Sequence, residues 1–377
     1  MWVMPGRRFA IGGLLLLVAC GSDQQFFAEP LESTVVYGND DRLEVYAHPD
    51  AGLRQVASES IVAQIALSNL SELGDGSYQL NVGPLWFERD VCLDEPFADQ
   101  PVAARCSGVL IADDLVLTAG HCVNCSSPAC SAYSYVFNYH LTAEGQDYPG
   151  PFPESDVYRC AEVPVCVESG SVTPDYAIVR LDRPVTPDHV PAELRPVTPL
   201  EVGDSLAMIG SGTGLPVKID SGASVAAVEA DYYVANLDAF QGHSGSAVFD
   251  ENDQLAGILV SGRVPDYNRR EGEFCVEVNV FDDSLAGENV QFISRVVDAL
   301  CAAGEGNEDL CGEDACDGGP CGEPPTIDPK EPDTEAPGVV GVSTDGCSVG
   351  RGSPVGAPFG TLLFVWFVVR RLRRTVA

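Results

Sequence analysis

Seven short apolar runs, each closed off by turn residues, constrain this chain more than any other feature. They cover residues 60–67, 109–111, 115–118, 177–181, 205–209, 247–249 and 255–260. Runs this short, bounded by Gly, Pro, Asn and Asp, read as strands buried on both faces. The 38 glycines and 27 prolines of the 377 residues supply the turns between them. Helical periodicity stands out once: Val290, Ile293, Val296, Val297 and Leu300 recur at spacings of three and four. Many short strands with one closing helix predict antiparallel barrels rather than βαβ units. No internal repeat is visible.

Charge and cysteine narrow the class further. Twenty-one basic against 56 acidic residues give a net charge of −35, a field that repels nucleic acid and excludes it as a partner. The acidic surface reads as solvated and solubilising. No EF-hand spacing occurs among the carboxylates, so no metal is assigned. Fourteen cysteines indicate an oxidising compartment. Cys122 and Cys125 form a C-x-x-C, but no second such pair or His-x-His accompanies it, which favours disulfides over zinc.

Three stretches carry chemistry. The first runs from Cys106 through Ser-Gly-Val-Leu-Ile-Ala-Asp-Asp-Leu-Val-Leu-Thr-Ala-Gly to His121 and Cys122, two strands leading into a bend that presents an imidazole. Asp175 opens the second, Asp-Tyr-Ala-Ile-Val-Arg-Leu. The third is Gln241-Gly-His-Ser-Gly-Ser246, where glycines flank Ser244 and permit the tight turn a nucleophile needs. It does not satisfy the G-x-S-x-G elbow of α/β-hydrolases, because Ser246 stands at the last glycine.

Taken together, and in the order His, Asp, Ser, these stretches resemble the motifs of trypsin/chymotrypsin-like serine peptidases, and the third is similar to the Gly-Asn-Ser-Gly-Ser variant of glutamyl endopeptidases. The resemblance covers residues 60–302. It implies an all-β fold of two six-stranded antiparallel Greek-key barrels with a C-terminal helix. It further implies a catalytic triad of His121, Asp175 and Ser244, an oxyanion hole from the amides of Gly242 and Ser244, and a disulfide between Cys106 and Cys122. The expected activity is peptide-bond hydrolysis without a cofactor, by a monomer acting on protein or peptide substrates. A catalytically silent binding protein and an esterase on the same triad are the alternatives.

Specificity is read from the same resemblance. Asp238, six residues before Ser244, matches the acid at the base of the trypsin pocket and implies cleavage after Arg or Lys. Ser261 and Gly262 match the strand that pairs with the substrate backbone. Leu259 stands where glutamyl endopeptidases carry a histidine, which disfavours glutamate. His243 replaces the aspartate that precedes the nucleophile in trypsins, and no Ile-Val-Gly-Gly activation site is visible, so no insertion switch of that kind is expected. Adjacent side chains diverge, so His243 is read as structural.

The termini read differently. Arg7 and Arg8, the apolar residues 9–19 and the tetrapeptide Leu17-Val-Ala-Cys20 form an export signal resembling the bacterial lipobox, which implies acylation at Cys20. Near the other end Gly346-Cys347-Ser348, an apolar stretch and four arginines resemble MYXO-CTERM sorting tails. The expected divisions are a signal peptide (1–19), an extension (20–58), the peptidase domain (59–303), an acidic stalk (304–346) and an anchor (347–377). The protein is accordingly expected at the cell envelope of a bacterium, with its membrane contact through one or both termini.

Overall fold

The computed structural model of the chain describes residues 36–311, except 127–129, 170–172, 196–199, 263–264 and 306–307. The export signal, Cys20, the stalk beyond residue 311 and the sorting tail lie outside the described residues. Among those described, no helix is long and apolar enough to cross a membrane.

Six strands close the first barrel: β1 (Ile61–Ala66), β2 (Ala104–Ala112), β3 (Leu115–Thr118), β4 (Tyr133–Val136), β5 (Val157–Glu168) and β6 (Asp175–Leu181). Around the barrel the order is β1-β2-β3-β6-β5-β4, every pairing antiparallel. The second barrel comprises β7 (Ser205–Gly210), β8 (Lys218–Val228), β9 (Tyr232–Ala235), β10 (Ala247–Phe249), β11 (Leu255–Ser261) and β12 (Glu288–Phe292). Its order, β7-β8-β9-β12-β11-β10, repeats that of the first. The fold is therefore the expected pair of six-stranded antiparallel barrels.

Burial on both faces explains why the strands lack a polar alternation. Ile61, Leu117 and Ile178 join Ile209, Phe249 and Ile258 in one apolar cluster shared by the two barrels. Their neighbours Val62, Val116 and Val179 point the other way into a cluster of the first barrel. Met208, Val248 and Leu259 do the same in the second. At roughly 1.5–3 kcal/mol for each fully buried large aliphatic side chain, the shared cluster is a main term holding the barrels together.

Three differences from the sequence reading have physical causes. The closing helix α4 spans Ile293–Ala302, whereas Val290 lies in β12 between Leu259 and Tyr233. A spacing of three residues cannot distinguish a buried strand residue from the first turn of a helix. The stretch expected as extension is woven into the second barrel: Leu43–Glu44 pairs with β8, and Val36–Tyr37 runs parallel to Val280–Phe281. Helix α1 (Ala51–Glu59) then packs Leu53 and Ala57 on the shared cluster, with the Asp50 carboxylate capping the amides of Gly52 and Leu53. Finally, the region read as stalk begins with a short helix, Glu308–Cys311, whose Cys311 is bonded to Cys301 of α4.

Candidate active site

His121 lies on a one-turn helix, Gly120–Val123, that follows β3 directly. Two features fix it. Cys122 is bonded to Cys106 of β2, as expected, and the buried Gln64 amide donates to the Cys122 carbonyl from β1. Asp175, the first residue of β6, is buried and grips His121 twice. Its Oδ1 accepts the His121 main-chain N–H at 3.0 Å, and its Oδ2 lies 2.6 Å from the ring Nδ1. A Cβ on Gly120 would stand 2.8 Å from that Oδ1, so only glycine before the histidine lets the carboxylate approach this closely. With Nδ1 engaged, Nε2 is the ring atom left to face a substrate.

Ser244 comes from the second barrel, in the turn between β9 and β10. Gly242 and Gly245 on either side have φ of +100° and +82°, a region that favours glycine. The turn is pinned to the first barrel through Ser107 of β2: its N–H donates to the Ser244 carbonyl at 2.9 Å, and its hydroxyl reaches the Gly242 carbonyl. Cys122 Sγ lies 3.7 Å from the Ser244 carbonyl oxygen. The disulfide beside the histidine thus touches the nucleophile turn. Among the described residues, the amides of Gly242 and Ser244 donate to nothing, whereas those of His243, Gly245 and Ser246 are all used. Two unclaimed N–H groups flanking a serine are what stabilisation of an oxyanion requires.

The remaining expected residues fall elsewhere. His243 is buried, its ring against Gly212, and its Nδ1 accepts the Phe240 N–H. Burial, with Arg42 and Lys218 nearby, pushes it down to about 3, so it stands neutral in the core. Ser261, at the end of β11, has its hydroxyl bonded by Asn289. Asp238 is 2 % exposed, and its two oxygens accept the main-chain N–H groups of Tyr37 and Asp41. Burial, then the adjacent Asp220, raise its pKa. The structure therefore does not present Asp238 to an open cleft.

The sequence reading missed two further residues of β12. Glu288 is fully buried, and a Cβ on Gly262 would stand 1.5 Å from its Oε2. Tyr37 donates its hydroxyl to the other oxygen. Gln291 accepts the Asp175 N–H, linking the second barrel to the triad acid. Neither has a sequence signal, because a strand reading Glu-Asn-Val-Gln-Phe does not show which of its polar residues are buried. A cavity of about 790 Å³ beneath α4 contains none of these groups.

His121 and Asp175 come from one barrel and Ser244 from a turn of a second barrel of the same topology, the arrangement that the resemblance to trypsin-like peptidases leads one to expect. A profile described as Trypsin-like peptidase domain matches residues 106–258, the span from Cys106 of β2 into β11. The chain is similar to the snake venom serine protease catroxase-1 of Crotalus atrox, 30% identical over 119 residues. That stretch is 30% of this chain and 41% of the venom protein, less than half the relative's length. Among solved structures, a Glu endopeptidase aligns over 70% of this chain and 96% of its own at 19% identity and TM-score 0.41. Kallikrein-related peptidase 10 aligns over 51% and 85% at 20% identity and TM-score 0.35. The match places a trypsin-like peptidase domain at residues 106–258.

Proposed function

We propose that the protein is an exported serine endopeptidase using His121, Asp175 and Ser244. As Ser244 Oγ attacks a peptide carbonyl, His121 Nε2 takes its proton, and Asp175 Oδ2 stabilises the resulting imidazolium. The Gly242 and Ser244 amides receive the charge developing on the carbonyl oxygen. His121 then protonates the departing amine, and water releases the acyl group by the reverse sequence. No cofactor enters this cycle. The observation that carries the proposal is the doubly held His121–Asp175 pair, joined through the Cys106–Cys122 disulfide to a serine turn with two unclaimed amides.

For specificity we propose cleavage after Arg or Lys. Ser261 and Gly262 would pair with the substrate backbone, and Glu288, buried against Gly262, would supply the acid, while Asp238 holds the Tyr37 segment. The described disulfides fit an extracellular protein. Attachment to the cell envelope through acylated Cys20 or the C-terminal tail is part of the same proposal. A fluorogenic peptide library tests the activity: cleavage after basic residues supports the whole reading. Hydrolysis of esters without any peptide cleavage would assign the triad to an esterase.

A further inference from the structure

Beside the serine turn, at Gln241 and Gly242, lies a groove of about 500 Å³. Its walls come from β2 (Ala104, Arg105), the Thr213–Gly214 turn, the Gln241–Gly242 turn and the short helix α2 (Leu85–Arg89). No residue of β11 or β12 lines it. The groove shares Gly242 with the serine turn, and Arg105 immediately precedes the disulfide cysteine beside His121.

Two cations face this space. Arg105 donates to the Cys122 carbonyl and the Tyr133 hydroxyl, with no carboxylate paired to it among the described residues. Arg89 makes no hydrogen bond and no ion pair among them, and it is exposed. By contrast, Arg180 and Arg270 are each held by three or more carboxylates. Of the acids at the groove, Glu88 accepts the Gly83 N–H. Asp266, within electrostatic range of Arg89, is buried and accepts the Gln241 N–H. In a chain of net charge −35, Arg89 and Arg105 thus bring two cations, without a carboxylate partner among the described residues, to the groove beside the serine turn. Its platform is also fixed: the Leu85 and Trp86 amides donate to the carbonyls of Gln100 and Ala98, and the Cys92–Cys275 disulfide ties down the segment that follows α2.

We propose that this groove receives the leaving-group side of the substrate and selects acidic residues there, with Arg89 as the selecting cation. The inference rests on the peptidase reading for its orientation. A peptide crossing Ser244 with its acyl side on Ser261 and Gly262 has no other flank on which to lay its leaving side. An acidic segment there gains a charge partner, while a basic one meets two like charges. The acidic surface elsewhere repels the same segment, which confines it to the groove.

The test compares quenched peptides that share one acyl side and carry Glu-Glu, Gln-Gln or Lys-Lys after the scissile bond. The wild-type protein should cleave the Glu peptide about fivefold more efficiently in kcat/KM than the Gln peptide, and the Lys peptide less well. Added salt should compress this ratio. Arg89→Gln should bring it to about one, and Arg89→Glu should reverse it, each ratio being internal to its variant. A wild-type ratio of one, or a ratio unmoved by Arg89→Glu, overturns the proposal. Binding of the Glu-Glu peptide to the Ser244→Ala protein, lost in the Ser244→Ala/Arg89→Glu double variant, separates the groove from the chemistry. Charge-dependent binding without wild-type cleavage would keep the groove and refute the peptidase.

Discussion

The two barrels share one strand order and are held together by different means. Three disulfides stitch the first: Cys106–Cys122, Cys125–Cys166 and Cys130–Cys160. No described disulfide joins two strands of the second barrel. Its interior near β8 instead contains buried charge: Lys218 against Glu44, Arg42 against Asp40 and stacked on Phe240, and Asp220 beside Asp238. The difference follows the work each barrel does. The first must hold a half-buried histidine on a one-turn helix, which covalent ties to β2 and β5 accomplish. The second must hold a turn of positive φ and the Tyr37 segment, which donors and acceptors at fixed positions accomplish.

Breaking the charged half should have the largest effect on stability. Lys218→Ala leaves Glu44 buried beside a lost cation, and should lower unfolding stability by about 3–5 kcal/mol in denaturant titration. Replacing both partners together, Lys218→Met with Glu44→Leu, should recover most of that loss. If the double variant is no more stable than the single one, the charges do not act as a pair.

The stitched half should lose less. Replacing Cys125 and Cys166 by serine opens a loop of 41 residues' separation and should cost about 2–4 kcal/mol. Peptidase activity per folded molecule should fall with it, because Cys125 borders the His121 helix. Loss of stability with unchanged activity would separate the stitch from the site.

The pH dependence gives the smallest effect per step. His243 is held near 3 when folded and lies near 6.5 when unfolded. Between these values the unfolded chain binds the extra proton, so stability falls as pH drops below about 6.5, by at most about 1.4 kcal/mol per pH unit. The raised carboxyls of Asp220 and Asp238 act in the opposite sense over part of the same range, because there the folded state holds the extra protons. The difference between wild type and His243→Gln isolates the histidine: the variant should lose this acid sensitivity. Parallel curves would place the titration elsewhere.

Much of the fold was legible because burial on both faces wrote itself as short apolar runs, and all seven are strands. Among the strands that escaped notice, two long ones carry charge. β8 begins Lys218-Ile-Asp220, and β5 reads Val-Tyr-Arg-Cys-Ala-Glu, so no hydropathy pattern marks either. The repeat of one topology in two barrels is invisible in the residues, since packing fixes strand order while tolerating nearly any apolar side chain. In the candidate site, His121 and Ser244 stand in local motifs, and Asp175 is carried by the order of the three stretches along the chain. Glu288, Gln291 and Arg89 were not legible, because each acquires its place only when distant strands and turns meet.

In the proposed mechanism the histidine–aspartate pair of one barrel activates the serine of the other. Labelling of the intact protein by a fluorophosphonate, followed by mass mapping, measures this directly. Covalent modification should occur at Ser244, vanish in Ser244→Ala, and slow by at least about a hundredfold in His121→Ala. Modification at another residue, or labelling of Ser244 at an undiminished rate without His121, would contradict it.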